Sequence, residues 1–392
     1  LRTVKVKTGN FLILVLVIVL VLPLFYTVFA GGKLSAQFTP EKILLLVLAV
    51  ISTGVIPVFK KKVGFLNRLL NGTFLILGSI IMIAIFAPLI APFGASEIIS
   101  AGECRLLSPF SQKIFLFSKS GTITDAGYEK LAVDDYKIGE KAVLLRHGRQ
   151  VEVEKELILH EGGKPKIQKV FFLLGTDEFG RDLFSRVIFG ARVSLMVGIS
   201  AAFISFIIAA FFAFMSALPY KILDMLLNRV SEIFLAIPSL FIIIFAISFF
   251  GNNYFSVVIV MAVTSWMSLY KILNGEIKRI MNKNFIVSSI MLGVPKNRIF
   301  INEIIPLILP SIVVNIIFQI ANFIIVEASL SFLGLGPGND YASWGGIIES
   351  GISYLSSAWW LIFFPGVFLF FTIVTLNKSG NQLEKYFNPV LK

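Results

Sequence analysis

The chain has 392 residues, of which 56% are hydrophobic and 15% charged, with 39 Phe and a formal net charge of +12. So few charges cannot cover the apolar surface of a soluble fold of this length, so a lipid bilayer is the solvent that fits. Basic residues beside membrane spans account for the charge without a nucleic-acid partner. One cysteine, Cys104, excludes an internal disulfide framework and cysteine-only metal sites. His147 and His160 stand too far apart to make a close-spaced ligand pair, so no metal site is expected.

In chain order, apolar runs at residues 11–30, 43–59 and 74–90 approach the length needed to cross the hydrocarbon core. Further runs follow at 193–218, 233–250, 255–272, 308–326 and 359–376, eight candidate spans in all. Val28-Phe29-Ala30 resembles a signal-peptidase site, but the run before it is long for a signal peptide and is read as a retained anchor. Arg2, Lys5 and Lys7 before the first span, and Lys60, Lys61, Lys62 and Arg68 after the second, put both groups in the cytoplasm. Residues 94 to about 190 then lie outside, where a long translocated segment escapes the charge rule. Within it, short β-prone runs at 142–145, 150–154 and 170–174, separated by Gly139, Gly148 and Gly162-Gly163, predict a small, mostly β module. Lys221 and Arg229 flank an inner turn, and Gly251-Asn252-Asn253 an outer one. The stretch from Lys271 to Arg298 returns to the cytoplasm with six basic residues, and the tail with Lys378, Lys385 and Lys392 ends there.

A charged, glycine-punctuated stretch precedes the fourth span: Gly175-Thr176-Asp177-Glu178-Phe179-Gly180-Arg181-Asp182, running into Leu183-Phe184-Ser185-Arg186. Asp182 and Arg186 are one helical turn apart and can pair at the interface. This wording resembles the entry to a core helix in dipeptide, oligopeptide and nickel ABC-importer permeases. The resemblance runs from about Leu75 to the C-terminus. It includes Ile85-Phe86-Ala87-Pro88-Leu89-Ile90-Ala91-Pro92, Asn228-Arg229-Val230 through Ala236-Ile237-Pro238, and Glu327-Ala328-Ser329-Leu330-Ser331-Phe332-Leu333-Gly334-Leu335-Gly336. Ser343-Trp344-Gly345, Phe364-Pro365-Gly366 and Asn388-Pro389 complete the order.

The resemblance implies an all-α polytopic membrane protein with a six-helix type I importer core. Two extra N-terminal spans (residues 1–62) and the β insertion are added to it. The first core helix then occupies 63–93, the external module 94–174 and the permease core 175–392, with a cytoplasmic coupling loop at about 274–305. In the family that loop reads Glu-Ala-Ala, three residues, Gly, then a Leu-Pro-type ending, and its short helix docks on the ATPase. Here those positions are Val287, Ser288, Ser289 and Gly293, with Pro295 following and Pro306 ending the loop. The acidic residue is replaced by Val287, while Ser288 and Ser289 stay small enough for close packing.

Ser311, Asn315, Gln319 and Asn322 are spaced by four, four and three and share one face of the next helix. Amides in lipid must look into protein or water, so this face either lines a translocation path or glues helices together. Glu327 lies near the outer end of that helix, where a carboxylate can reach water or a basic partner.

An intramembrane enzyme would need a nucleophile–base pair or metal ligands at membrane depth, and no histidine occurs in any span. No Gly-x-x-x-x-Gly-Lys-Ser/Thr loop exists to bind ATP. A secondary transporter would place ionisable residues at mid-membrane. The resemblance therefore implies a non-catalytic subunit that binds no cofactor itself. Its implied partners are a second permease subunit in a heterodimer, two ATPase subunits using ATP and Mg, an external solute-binding protein, and membrane lipid. It also implies a place in the bacterial inner membrane with both termini cytoplasmic.

Overall fold

A computed structural model describes residues 72–387, apart from residues 101, 119–128, 139–140, 147–148, 155–157, 162–163, 219 and 338–340. The two most N-terminal sequence-predicted spans, 11–30 and 43–59, lie outside the described residues. The described chain is mostly helical and forms two compact units. One gathers Leu195–Glu327 with the described residues up to Ile85 and from Thr372 onward; the other gathers Phe86–Ser194 and Ala328–Phe371.

The third expected span is two helices, α1 (Gly72–Ile85) and α2 (Ala87–Ile90), separated at Phe86. Pro88 stands in the first turn of α2 and has no N–H to offer the preceding turn, which explains the break. At about 1.5 Å per residue, α1 alone is shorter than the hydrocarbon core.

Eight strands follow among the described residues. Strand β1 (Ser111–Ser118) lies between β2 (Glu129–Val133) and β8 (Ile167–Phe172), both antiparallel to it. A second sheet is the meander β3 (Asp135–Ile138), β4 (Lys141–Arg146) and β5 (Arg149–Glu154). Strands β6 (His160–Glu161) and β7 (Lys164–Pro165) pair as a short ribbon. Adjacent residues in a strand point to opposite faces, and β1 is covered on both. Phe115 packs with Cys104, Ala132, Val170 and Phe172, whereas Leu116 packs with Val133, Ala142, Leu144 and Ile158. This double burial hides the simple alternation that marks a half-exposed strand, so the sequence points to β4, β5 and β8 and passes over β1.

Four described helices are long and apolar enough to cross a membrane: α3 (Leu183–Ser216), α6 (Tyr254–Met281), α9 (Ile305–Phe332, continuing a π-helical turn at Phe300–Ile304) and α11 (Trp360–Phe387). The run expected as one span at 233–250 belongs instead to a bent pair, α4 (Lys221–Leu235) and α5 (Ser239–Phe250), turned by 88° at the break. Pro238 sits at that corner, where it removes one donor and disfavours helix at the residue before it. Short helices α7 (Asn284–Met291) and α8 (Lys296–Ile299) precede the π-helical turn, and α10 (Trp344–Ile352) lies between α9 and α11.

Helix α6 is the axis of the larger core. Trp266, Leu269, Tyr270, Leu273, Ile277 and Ile280 recur at three- and four-residue spacing and are all buried. They pack with Ala209 and Ala213 of α3, Ile286 of α7, and Ile304, Ile308 and Ile312 around the start of α9. Phe203, Ile207 and Phe211 form an exposed apolar stripe on α3, and Phe241, Phe245 and Phe249 another on α5. Apolar outer faces are what helices in lipid require.

Candidate functional sites

The short helix α7 carries the segment singled out for coupling. Its C-terminus closes with two bonds, Val294 N–H to the Ser289 carbonyl (3.1 Å) and Gly293 N–H to the Ile290 carbonyl (3.0 Å). This is the double-bonded cap that needs a left-handed residue, and Gly293 supplies it with φ of +75°. Pro295 follows directly, and its carbonyl accepts from the Arg298 and Ile299 N–H groups to start α8. The π-helical turn ends just before Pro306, which has no N–H for the Asn302 carbonyl.

Only Ile286 of α7 is buried. Phe285, Val287 and Ile290 are exposed, and Met291 and Leu292 are exposed at 81% and 83%, so the helix leaves an apolar surface uncovered. Ser288 donates back to the Asn284 carbonyl (2.9 Å), while Ser289 donates to the Glu303 carboxylate (3.2 and 3.3 Å). Val287 brings no charge, but Glu303 is tied to α7 through Ser289. Sequence reasoning missed Glu303, because fourteen residues and a helical break separate it from Ser289.

A polar network at α3, α4 and α6 was also missed. Asp224 accepts from both Lys278 (2.8 Å) and Asn228 (2.8 Å), and from the Ser216 hydroxyl. Tyr270 donates to Ser216 (3.2 Å), and Lys271 donates to Asn228 and Glu232 (3.0 Å each). Asp224 and Lys278 are 54 residues apart, and no local pattern joins them.

The four polar residues of α9 separate on inspection. Asn315 turns back to the Ser311 carbonyl (2.8 Å). Gln319 donates to Ser205 of α3 (2.8 Å), a bond between helices, and its own amide oxygen is buried without a hydrogen-bond partner. Asn322 is exposed. Glu327 is fully buried, so of water and a basic partner, the two surroundings expected for it, water is not the one it meets.

In the other unit, residues 175–182 form a clasp. The Leu183 N–H donates to the Gly175 carbonyl (3.0 Å) and the Asp177 N–H to the Arg181 carbonyl (3.0 Å). Thr176 accepts from the Leu107 N–H (2.8 Å) and donates to the Cys104 carbonyl. Gly175 and Gly180 have φ of +83° and +75°, and a side chain on Gly180 would also press on the Ser100 carbonyl. The buried Asp177 carboxylate accepts from the Phe179 and Arg181 N–H groups (2.9 Å each) and pairs with Arg181 (2.6 Å) and Arg186 (3.3 Å). The sequence pairing of Arg186 with Asp182 is therefore corrected. Asp182 caps α3, accepting from the N–H (2.8 Å) and hydroxyl (2.6 Å) of Ser185. An aspartate that caps its own helix has its oxygens aimed along the axis at the first turn, away from Arg186. Burial raises the Asp182 carboxyl above its ordinary range, against the opposing Ser185 bonds, and burial raises Glu178 as well.

Residues 205–392 match the family described as binding-protein-dependent transport system inner membrane component. The chain is 35% identical over 219 residues to the oligopeptide transport system permease protein OppC of Haemophilus influenzae, covering 56% of this chain and 70% of that protein. It is 32% identical to the dipeptide transport system permease protein DppC of Bacillus subtilis, covering 56% and 68%. With the di/tripeptide transport system permease protein DppC of Pseudomonas aeruginosa the identity is 30%, covering 59% and 75%. These matches, on a chain with four apolar membrane-length helices among its described residues, establish that it belongs to the family of binding-protein-dependent transport system inner membrane components.

Proposed function

We propose that the chain is one permease subunit of an ATP-driven importer and forms half of a translocation path for peptides delivered by an external binding protein. A second permease subunit forms the other half, and two ATPase subunits supply the motion with ATP and Mg. The chain itself is non-catalytic and binds no cofactor. It sits in the bacterial cytoplasmic membrane with both termini inside. Its permease core is six-helical and covers 175–392 together with the broken pair α1 and α2. Residues 94–174 are an external insertion.

The observation that carries this reading is α7. A short helix with exposed Phe285, Met291 and Leu292, stopped by a glycine cap, offers an apolar ridge that a cleft on another subunit can take. Val287, Ser288, Ser289, Gly293, Pro295 and Pro306 form the coupling segment, and Glu303 supplies the charge that Val287 lacks. Closure of the ATPases moves this ridge as a rigid body, and α9 carries the motion into the membrane. Ser311, Asn315, Gln319 and Asn322 are the proposed path residues. The clasp at Gly175, Thr176, Asp177, Gly180, Arg181 and Asp182 positions the outer start of α3. The names of the relatives support peptides as the cargo.

The test is uptake of labelled peptide and of labelled nickel in a strain lacking this subunit, with and without the restored chain. Restored peptide uptake is expected. Nickel uptake alone would overturn the cargo, and no ATP-dependent uptake by an assembled complex would overturn the importer.

A further inference from the structure

The exposed side chains of the β-bearing unit change character from place to place. On the meander, Asp135, Lys137, Gln150 and Glu152 face outward. Beside the clasp large apolar side chains stand exposed among polar ones: Ile98, Phe110, Phe171, Leu173 and Phe179 beside Glu97, Arg105 and Gln112, with Phe110 exposed at 68% and Phe171 at 54%. The Phe110 and Phe171 rings lie 6.4 Å apart. The Ile99 N–H donates to the Gly180 carbonyl (3.3 Å), which sets residues 98–99 alongside 179–180. The apolar residues therefore form two patches, Phe110 with Phe171 and Ile98 with Phe179, that make a broken belt beside the clasp.

Three helix ends give the depth of that belt. Ser185, in the first turn of α3, accepts from the Phe93 N–H (3.2 Å), three residues after α2 ends at Ile90. Trp360, the first residue of α11, donates its indole N–H to the Thr176 carbonyl (3.2 Å). Both α3 and α11 are membrane-length helices, and indoles gather where bilayer meets water. Exposed Trp359 and Phe363 continue the apolar surface along α11, their rings 5.6 Å apart. The Arg181 guanidinium, paired with Asp177, also lies over the Phe179 ring at 4.6 Å and holds that ring against the clasp.

We infer that this belt is seated in the phospholipid headgroup layer of the leaflet where α11 begins, so that the β-strands rest on the membrane surface. Lipid is the occupant because the belt is continuous with the exposed apolar face of a spanning helix. Only the choice of leaflet depends on the orientation proposed above.

The test uses the full chain in phosphatidylcholine–phosphatidylglycerol nanodiscs, with nitroxide labels at Phe110→Cys, Phe171→Cys and Phe179→Cys in a Cys104→Ala background. Lys169→Cys, exposed on β8, is the aqueous reference. Collisions with oxygen should dominate at the three belt positions, and collisions with a water-soluble nickel chelate at Lys169→Cys. Belt labels as open to the chelate as the reference would overturn the inference. So would belt labels that stay wet until purified binding protein is added, which would make that protein the occupant. Should the cysteine variants fail to fold, the brominated-lipid quenching that Phe171→Trp adds to that of the parent chain's four tryptophans decides the question, with no added quenching counting against it. Peptide uptake by the same variants is read separately, so lipid seating and transport can fail independently.

Discussion

At Gly293 the limit on substitution is the backbone and not the space around it. No atom lies within 4 Å of where a Cβ would stand, yet φ is +75°. Gly293→Ala should therefore cost about 1 kcal/mol through the left-handed conformation alone. It should loosen the α7 cap and lower ATP-driven uptake while leaving membrane insertion intact; a variant transporting at the parental rate would contradict this. Cys104 makes a second residue-level case. Burial raises its thiol to about 11, so it stays protonated in neutral buffer and out of reach of alkylating reagents. Maleimide should label it only after unfolding. The shift is upward, so the stability it contributes is present below the unfolded thiol value and is lost as pH rises through about 11.

Among the elements, the α4–α6 contact should respond to charge. The Asp224–Lys278 pair is partly solvent-exposed, so a double-mutant cycle of Asp224→Asn and Lys278→Met should give a coupling of about 1 kcal/mol or less, shrinking in high salt. A coupling independent of salt would assign the contact to packing. This network was not legible in the sequence. The 54-residue separation of its members leaves no periodic trace, and Lys271 and Lys278 read as plain topology anchors. The elements that were legible, α6 and α11 above all, announce themselves because hydrophobicity sums along a window whatever the neighbours are. Where prolines interrupt the sum, at Pro88 and Pro238, window length overstated the span.

For the whole molecule, Gln319 separates two roles that spacing could not. Its bond to Ser205 ties α9 to α3, while its buried amide oxygen lacks a hydrogen-bond partner. Gln319→Leu should lower thermal stability in detergent by removing the bond between helices. If the residue also meets cargo, Gln319→Glu, which keeps the size and changes the charge, should alter uptake more than stability. Equal loss of both in the two variants would assign Gln319 to helix packing alone. The exposed Asn322 serves as the comparison position.

The order and wording of the motifs were enough for membrane residence and family, because hydrophobic length and short local phrases are properties of contiguous chain. The partners of charged groups were not accessible in that way. Arg186 reaches Asp177 and leaves Asp182 to cap its own helix, and Glu303 is held by Ser289 across a helical break. Each outcome depends on which direction a side chain faces once the backbone has turned, and spacing alone leaves that direction open.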